Sequence, residues 1–93
     1  MKLRIKVEFW AVGQKTKKVK TVTAPVKVGK VEGFEDSRIS WVIDEAGENC
    51  VKVSYRCYDG TVAKTWELKA NDEFFYRPMS FDGGKQYTIK LIK

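Results

Sequence analysis

An Asp-Gly pair at positions 59 and 60 constrains the fold of this chain more than any other feature, because it stands between two runs in which apolar and polar residues alternate. A type I′ turn has positive φ at both central residues, and Asp-Gly is one of the pairs that favour it. The sequence therefore predicts a β-hairpin over residues 50–69, with Tyr58 opposite Thr61 and Val53 opposite Trp66.

The two faces of this predicted hairpin differ in polarity. One face is apolar apart from Lys64, whereas the other pairs polar residues, including Lys52 with Glu67 as an opposite-charge cross-strand pair. A shift of the pairing by one residue would turn the apolar side chains to solvent. Turn chemistry and hydrophobic pattern therefore predict the same register, which continues to Arg56 opposite Ala63 beside the turn.

The first twelve residues predict a second hairpin. Apolar and charged residues alternate over residues 2–12, which is typical of a half-buried strand, and residues 17–28 can return antiparallel to it. We expect the turn at Gln14 and Lys15, which places Val7 opposite Val22. Pro25 cannot donate to a ladder, so the return strand is expected at an edge or broken there. The outer side then carries Arg4, Lys6, Trp10 and Lys17.

Further alternating segments at residues 38–43, 73–79 and 86–92 bring the count to seven or eight strands, at the eight- to twelve-residue spacing typical of sandwiches and barrels. The sequence contains no helical period of useful length. We therefore predict an all-β fold, an antiparallel β-sandwich of Ig-like or jelly-roll-like type, as a single domain over residues 1–93. The 50–69 hairpin is expected at its centre, with the 2–12 strand beside it.

The two cysteines are expected to stay unpaired. Cys50 and Cys57 lie on one predicted strand, and at about 3.3 Å per residue they are roughly 23 Å apart, too far for a disulfide. Cys57 is interpreted as a small core residue and Cys50 as a partly exposed thiol. Two thiols and no histidine cannot supply the four ligands of a zinc site, so we expect no metal and no cofactor.

The apolar runs are too short to cross a bilayer, and the N-terminus alternates charged with apolar residues where a secretory signal needs a continuous apolar stretch. The sequence therefore predicts no membrane span and a cytoplasmic location. Secretion is expected only if a leader was removed.

Positive charge is concentrated at one end of the chain. Residues 1–31 carry nine basic residues and one acid, a net +8, whereas the remaining residues carry nine basic and eleven acidic ones, a net −2. Such an end can attract nucleic acid, an anionic surface or an acidic protein. Basic residues that alternate with an aromatic suggest a nucleic-acid-binding sheet, although a solvated strand face has the same composition. The candidate residues are Arg4, Lys6, Trp10, Lys17, Lys18 and Lys20.

A second candidate surface lies in the segment 73–79. Phe74 and Phe75 must point to opposite sides of a strand, so one of them can be exposed. Aromatic residues, Arg and Met are enriched at protein interfaces, and Phe75, Arg77 and Met79 share one side. Burial between two sheets explains Phe75 equally well. Trp41 and Trp66 share parity with core residues, so both are interpreted as packing and not as a carbohydrate platform.

Catalysis is not expected. Histidine, the usual base near neutral pH, is absent, and a cysteine nucleophile has no activator without it. The acidic residues fall in predicted turns, such as Asp44 to Glu48 and Asp72 to Glu73, where acids are ordinary turn formers. Calcium binding or acid–base chemistry by these acids stays open as the weaker alternative.

Four segments carry a resemblance to a known family: residues 39–44 (Ile-Ser-Trp-Val-Ile-Asp), 51–55, 66–69 and 82–91. From residue 39 onward the chain resembles the small β-sandwich accessory modules found beside transglutaminase-like domains in bacterial surface proteins. In that family the sandwich is non-catalytic, and the catalytic Cys, His and Asp lie in a separate domain. The resemblance implies a sandwich fold and a binding or scaffold role, and it transfers no site residue.

Together these observations predict a non-catalytic binding or structural module that acts through protein contacts, such as a bacterial or phage accessory protein. A protein partner is therefore expected. The alternative is a nucleic-acid-binding β domain that uses the basic N-terminal hairpin.

Overall fold

A computed structural model describes residues 1–78 and 81–93, and this part of the chain forms eight β-strands and no helix. The strands are β1 (Lys2–Ala11), β2 (Lys17–Pro25), β3 (Gly29–Lys30), β4 (Ile39–Ala46), β5 (Cys50–Cys57), β6 (Val62–Lys69), β7 (Glu73–Tyr76) and β8 (Gly83–Ile92). They make two antiparallel four-stranded sheets. The first sheet has the order β2-β1-β8-β7 and the second sheet the order β3-β4-β5-β6. The predicted all-β antiparallel β-sandwich is confirmed.

The inner faces of the two sheets form the core, because alternate side chains of every long strand point inward. In the first sheet Leu3 pairs with Leu91 and Ile5 with Ile89, and all four are fully buried. The buried apolar residues are Leu3, Ile5, Val7, Ala24, Val31, Trp41, Ile43, Val51, Val53, Tyr55, Leu68, Tyr87, Ile89 and Leu91.

Aromatic rings fill the part of the core between β4, β6 and β7. Trp41 is 1% exposed and contacts five other rings, and Trp66 stacks on Phe74 with centroids 4.2 Å apart and planes at 15°. The ammonium of Lys64, the one polar residue on the apolar side of the hairpin, lies 5.5 Å from the Trp66 ring. The predicted inward orientation of Trp41 and Trp66 is therefore confirmed.

The central hairpin has the predicted register over most of its length and a different turn. Pairing runs as expected from Cys50 opposite Lys69 to Tyr55 opposite Lys64, but Arg56 pairs with Val62 and not with Ala63. The N–H of Gly60 donates to the Cys57 carbonyl and the N–H of Cys57 to the Thr61 carbonyl, each at 2.9 Å. These bonds close a three-residue loop over residues 58–60, so the predicted two-residue turn is wrong.

The reason lies in the backbone of the Asp-Gly pair. Gly60 has φ of 87°, whereas Asp59 does not have positive φ and its carboxylate accepts the N–H of Thr61 at 2.9 Å. A type I′ turn would force Asp59 into the left-handed region at a steric cost. A bulge that leaves Ala63 unpaired then restores the register, so Trp66 and Leu68 still face the core.

The first hairpin departs further from prediction. Ile5 pairs with Val22, two positions from the expected partner, because the chain turns earlier, over residues 11–14 with Gly13 at φ 77°. A bulge at Val19 then shifts the rest of β2 by one residue. Lys18 consequently pairs with Glu8, and Lys17 pairs with Phe9 on the core-facing side, so the prediction that Lys17 lies on the outer side is wrong.

The position of β1 relative to the central hairpin also differs from prediction. β1 lies inside the first sheet, between β2 and β8. The 50–69 hairpin belongs to the second sheet, where β6 is an edge strand, so β1 is not its neighbour in a sheet. β1 and β8 pair over their full length, from Lys2 opposite Ile92 to Ala11 opposite Gly83. No turn connects these two strands, so no local sequence motif indicates that they pair. β2 is an edge strand, in agreement with its Pro25.

Both cysteines are free, as predicted, and both are half-buried. The thiol of Cys50 donates to a carboxylate oxygen of Glu67 at 3.2 Å. This hydrogen bond, with partial burial and the Glu67 charge, raises the pKa of the Cys50 thiol. The described residues include no helix that is long and apolar enough to cross a membrane.

Candidate functional site

The outer face of the first sheet brings together residues from both ends of the chain. Directly paired residues share a face, so the pairing defines rows across the sheet. One row runs from Lys6 through Thr88 to Phe75, and the row beside it contains Arg4, Lys90 and Glu73. Glu8 pairs with Gln86 and Trp10 with Gly84 in the rows beyond. These rows make up the outer face of the first sheet.

Arg77 lies between two aromatic rings on this surface. Its guanidinium carbon is 4.3 Å from the centroid of the Trp10 ring and 5.7 Å from that of Phe75. Phe75 is 54% exposed, whereas Phe74 packs against the core, as expected for neighbours on a strand. Trp10, Phe75 and Arg77 form what we call the arginine–aromatic cluster.

Two polar residues hold Arg77 in this position. The Nε and Nη2 atoms of Arg77 donate to the Gln86 side-chain oxygen at 3.2 and 2.8 Å. The Gln86 amide nitrogen in turn donates to Glu8 at 3.3 Å. Gln86 is only 6% exposed, although it points outward from the sheet, and its side chain contacts Arg77 and Glu8. The guanidinium is therefore a fixed positive charge beside an accessible ring.

The outer face of the first sheet is strongly basic. Among its described residues, six are basic and two, Glu8 and Glu73, are acidic, so its net charge is 6 − 2 = +4. Arg4 and Glu73 approach to only 3.9 Å and both are well exposed, so this ion pair contributes little to stability. The six basic residues are Lys2, Arg4, Lys6, Lys18, Arg77 and Lys90.

The outer face of the second sheet has a different charge balance. Four basic residues, Lys30, Lys52, Arg56 and Lys69, stand there with three acids, Asp44, Glu45 and Glu67, a net 4 − 3 = +1. Arg56 pairs with Asp44 at 2.6 Å and with Ser54 at 3.0 Å, and Lys52 lies opposite Glu67. The sandwich thus has one basic face and one nearly neutral face.

The structure divides the residues that the sequence singled out. Of the predicted nucleic-acid-binding set, Arg4, Lys6, Trp10 and Lys18 share the outer face of the first sheet with Phe75 and Arg77 of the predicted protein-contact set. Lys17 and Lys20 do not, because both lie on the core-facing side of β2. The Lys20 ammonium covers the Phe34 ring at 4.6 Å and donates to the Glu35 carbonyl at 3.2 Å. Met79 lies outside the described residues.

Sequence reasoning missed Lys90, Gln86 and Glu8 as members of this surface. Their parity was readable, since Gln86 and Lys90 alternate with the apolar residues of β8, and Glu8 alternates with those of β1. Their proximity to Lys6, Trp10 and Arg77 depends on the pairing of β8 with both β1 and β7.

Titratable groups also meet in a cleft of about 630 Å³ between the sheets. Burial raises the pKa values of Tyr55 and Tyr87 there. Partial burial alone would raise the pKa of Asp36, but hydrogen bonds from the amides of Arg38 and Ile39 and the nearby Lys85 ammonium hold it below its usual value. Asp36 therefore anchors the loop before β4 to Lys85 on β8.

The described residues contain no group of three or more His, Cys, Asp or Glu side chains that could hold a metal ion. Fold and surface together define an antiparallel β-sandwich with one basic, aromatic outer face. The chain matches no protein-family model, no curated protein and no solved structure. The resemblance to transglutaminase-associated modules therefore stays a prediction.

Proposed function

We propose that this chain is a non-catalytic nucleic-acid-binding module whose binding surface is the outer face of the first sheet. One observation carries the proposal: a net charge of +4 is gathered around an exposed aromatic ring on one sheet face, while the opposite outer face has a net charge of +1. Sheet-based binders of nucleic acid combine a positively charged track for the backbone with aromatic platforms for the bases.

A protein partner is the second candidate, favoured by the 54% exposure of Phe75 beside Arg77. Aromatic residues and Arg are enriched at protein interfaces, but Lys is depleted there. Four of the six basic residues on this face are lysines, Lys2, Lys6, Lys18 and Lys90, which is the composition of a phosphate-contacting surface. The geometry thus favours nucleic acid over the protein contact that the sequence put first.

The proposal is tested by fluorescence anisotropy of labelled oligonucleotides at a series of salt concentrations. We expect binding at low salt, and affinity that falls steeply with salt because each contacted phosphate releases counterions. Lys6→Glu should weaken binding roughly tenfold and flatten the salt slope by about one.

Lys30→Glu is the matched control. Lys30 belongs to the same basic N-terminal segment and is exposed, but it lies on the outer face of the second sheet. The substitution changes the net charge by the same amount, so an equal loss of affinity in both variants would show that no particular face is involved. Absence of binding at low salt would overturn the proposal.

A further inference from the structure

We infer that the outer face of the first sheet selects single-stranded over double-stranded nucleic acid, with Phe75 as the ring on which a base stacks. The inference rests on the proposed function and adds the form of nucleic acid that the surface takes. It depends on three features of the face: the accessibility of Phe75, the fixed position of Arg77 and the line of cations on β1.

Phe75 is the accessible ring of the arginine–aromatic cluster. The guanidinium of Arg77 covers the Trp10 ring at 4.3 Å and lies farther, at 5.7 Å, from the Phe75 ring. The indole N–H of Trp10 is also buried, so the ring is covered at this edge as well as on the face that Arg77 contacts. Phe75 alone of the two rings is more than half exposed.

The cations form a line beside this ring. Lys2, Arg4 and Lys6 lie on alternate positions of β1 and so recur about every 6.6 Å along the outer face. Lys6 and Phe75 occupy the same row, separated by Thr88 on β8. A single strand whose phosphates follow β1 can therefore direct its bases across β8 toward Phe75.

A duplex cannot use this arrangement. Its bases are already stacked on one another, so it offers phosphates and groove edges to the sheet and no base face to the ring. Lys2, Arg4 and Lys6 would then contribute the same phosphate contacts, and Phe75 would contribute nothing. Preference for a single strand thus depends on stacking, and general affinity depends on charge.

The test compares three labelled probes of equal length at one salt concentration: a thymidine single strand, the corresponding duplex, and a single strand of abasic sites. We expect the native protein to bind the thymidine strand at least about fivefold more tightly than the abasic strand, because the abasic strand has no base to stack on Phe75. The duplex should also bind more weakly than the thymidine strand.

Phe75→Leu keeps an apolar side chain without the ring, and we expect it to bind the thymidine and abasic strands equally. Phe75→Tyr should restore the preference. Tyr58→Ala is the control, since Tyr58 is 84% exposed in the β5–β6 loop on the other sheet and should leave the preference unchanged. Thermal unfolding of each variant verifies that it is folded.

The outcomes separate the two proposals. Equal binding of all three probes, or tighter binding of the duplex, overturns the inference and leaves the nucleic-acid-binding function standing. Binding of no probe at low salt overturns the function and the inference together. A preference that persists in Phe75→Leu overturns the role of this ring.

Discussion

Asp36 shows how single residues join the two sheets. One of its carboxylate oxygens accepts the N–H groups of Arg38 and Ile39 at 2.8 and 3.4 Å, and the other accepts the Lys85 ammonium at 3.0 Å. The loop before β4, in the second sheet, is thereby attached to β8 in the first. The Asp36 side chain is 12% exposed, so this contact is better shielded from solvent than a typical surface ion pair.

We expect Asp36→Asn to lower the free energy of unfolding by about 0.5–1 kcal/mol at pH 7, because asparagine keeps an acceptor for the two amides but loses the charge facing Lys85. The lowered pKa of Asp36 sets the sign of the pH dependence. The Asp36 charge contributes fully to the free energy of unfolding above the ordinary carboxyl pKa of about 3.9. This contribution disappears as pH falls through the lower pKa of the folded state.

Urea unfolding of the native protein and of Asp36→Asn between pH 7 and pH 2 measures the difference in their free energies of unfolding. The stability difference should shrink below about pH 4. In a Lys85→Met background, Asp36→Asn should have a smaller effect at pH 7. A difference that is constant with pH would contradict the role of the carboxylate charge.

The central hairpin illustrates how an element combines local and tertiary requirements. Its loop is set by Asp59 and Gly60, whereas its register is set by burial of Trp66 and Leu68 against the first sheet. The bulge at Ala63 reconciles the two, because it absorbs the extra loop residue before the buried pairs begin. Bulges also increase local twist and protect edge strands from pairing with other chains, and β2 and β6, both at edges, each contain one.

The loop makes a prediction at this scale. Gly60→Ala should destabilise the protein by about 1–2 kcal/mol, because φ of 87° is costly for a residue with a Cβ. Gly60→Asn should cost less, since asparagine enters the left-handed region more readily. Urea midpoints at unchanged m-values measure both. Equal midpoints for the two variants would mean that φ at position 60 does not limit stability.

Across the whole molecule, contacts between distant parts of the chain dominate. β1 pairs with β8 over ten residue pairs, and the first sheet surrounds this pair with β2 and β7. The β1–β8 pairing at the centre of the first sheet therefore cannot form until the two ends of the chain meet. Loop closure on this scale is unfavourable before the contacts that reward it are made.

We therefore expect refolding on the time scale of milliseconds to seconds, as for other β-sandwiches. Stopped-flow dilution from urea, followed by tryptophan fluorescence, measures the rate, because Trp41 and Trp66 lie in the aromatic core. Ile5→Val, which affects the β1–β8 pair, should lower stability by about 0.5–1.5 kcal/mol. Refolding that is complete within microseconds would contradict this view of the topology.

The sequence determined those features whose cause is local. Alternation with period two predicted the long strands and, apart from the bulged part of β2, their inner and outer sides. The Asp-Gly pair located the central loop, because a glycine in the left-handed region is encoded locally. The pairing of Val53 with Trp66 and the opposite orientations of Phe74 and Phe75 followed directly.

The tertiary structure decided which strands are neighbours and therefore where the candidate site lies. Trp10 and Arg77 belong to opposite ends of the sequence, and they meet only because β8 pairs with β1 on one side and β7 on the other. The bulge that places Lys18 outward and Lys17 inward is likewise invisible in the alternation of β2. Strand order depends on how two whole faces bury against each other, and that free energy belongs to no single segment of the chain.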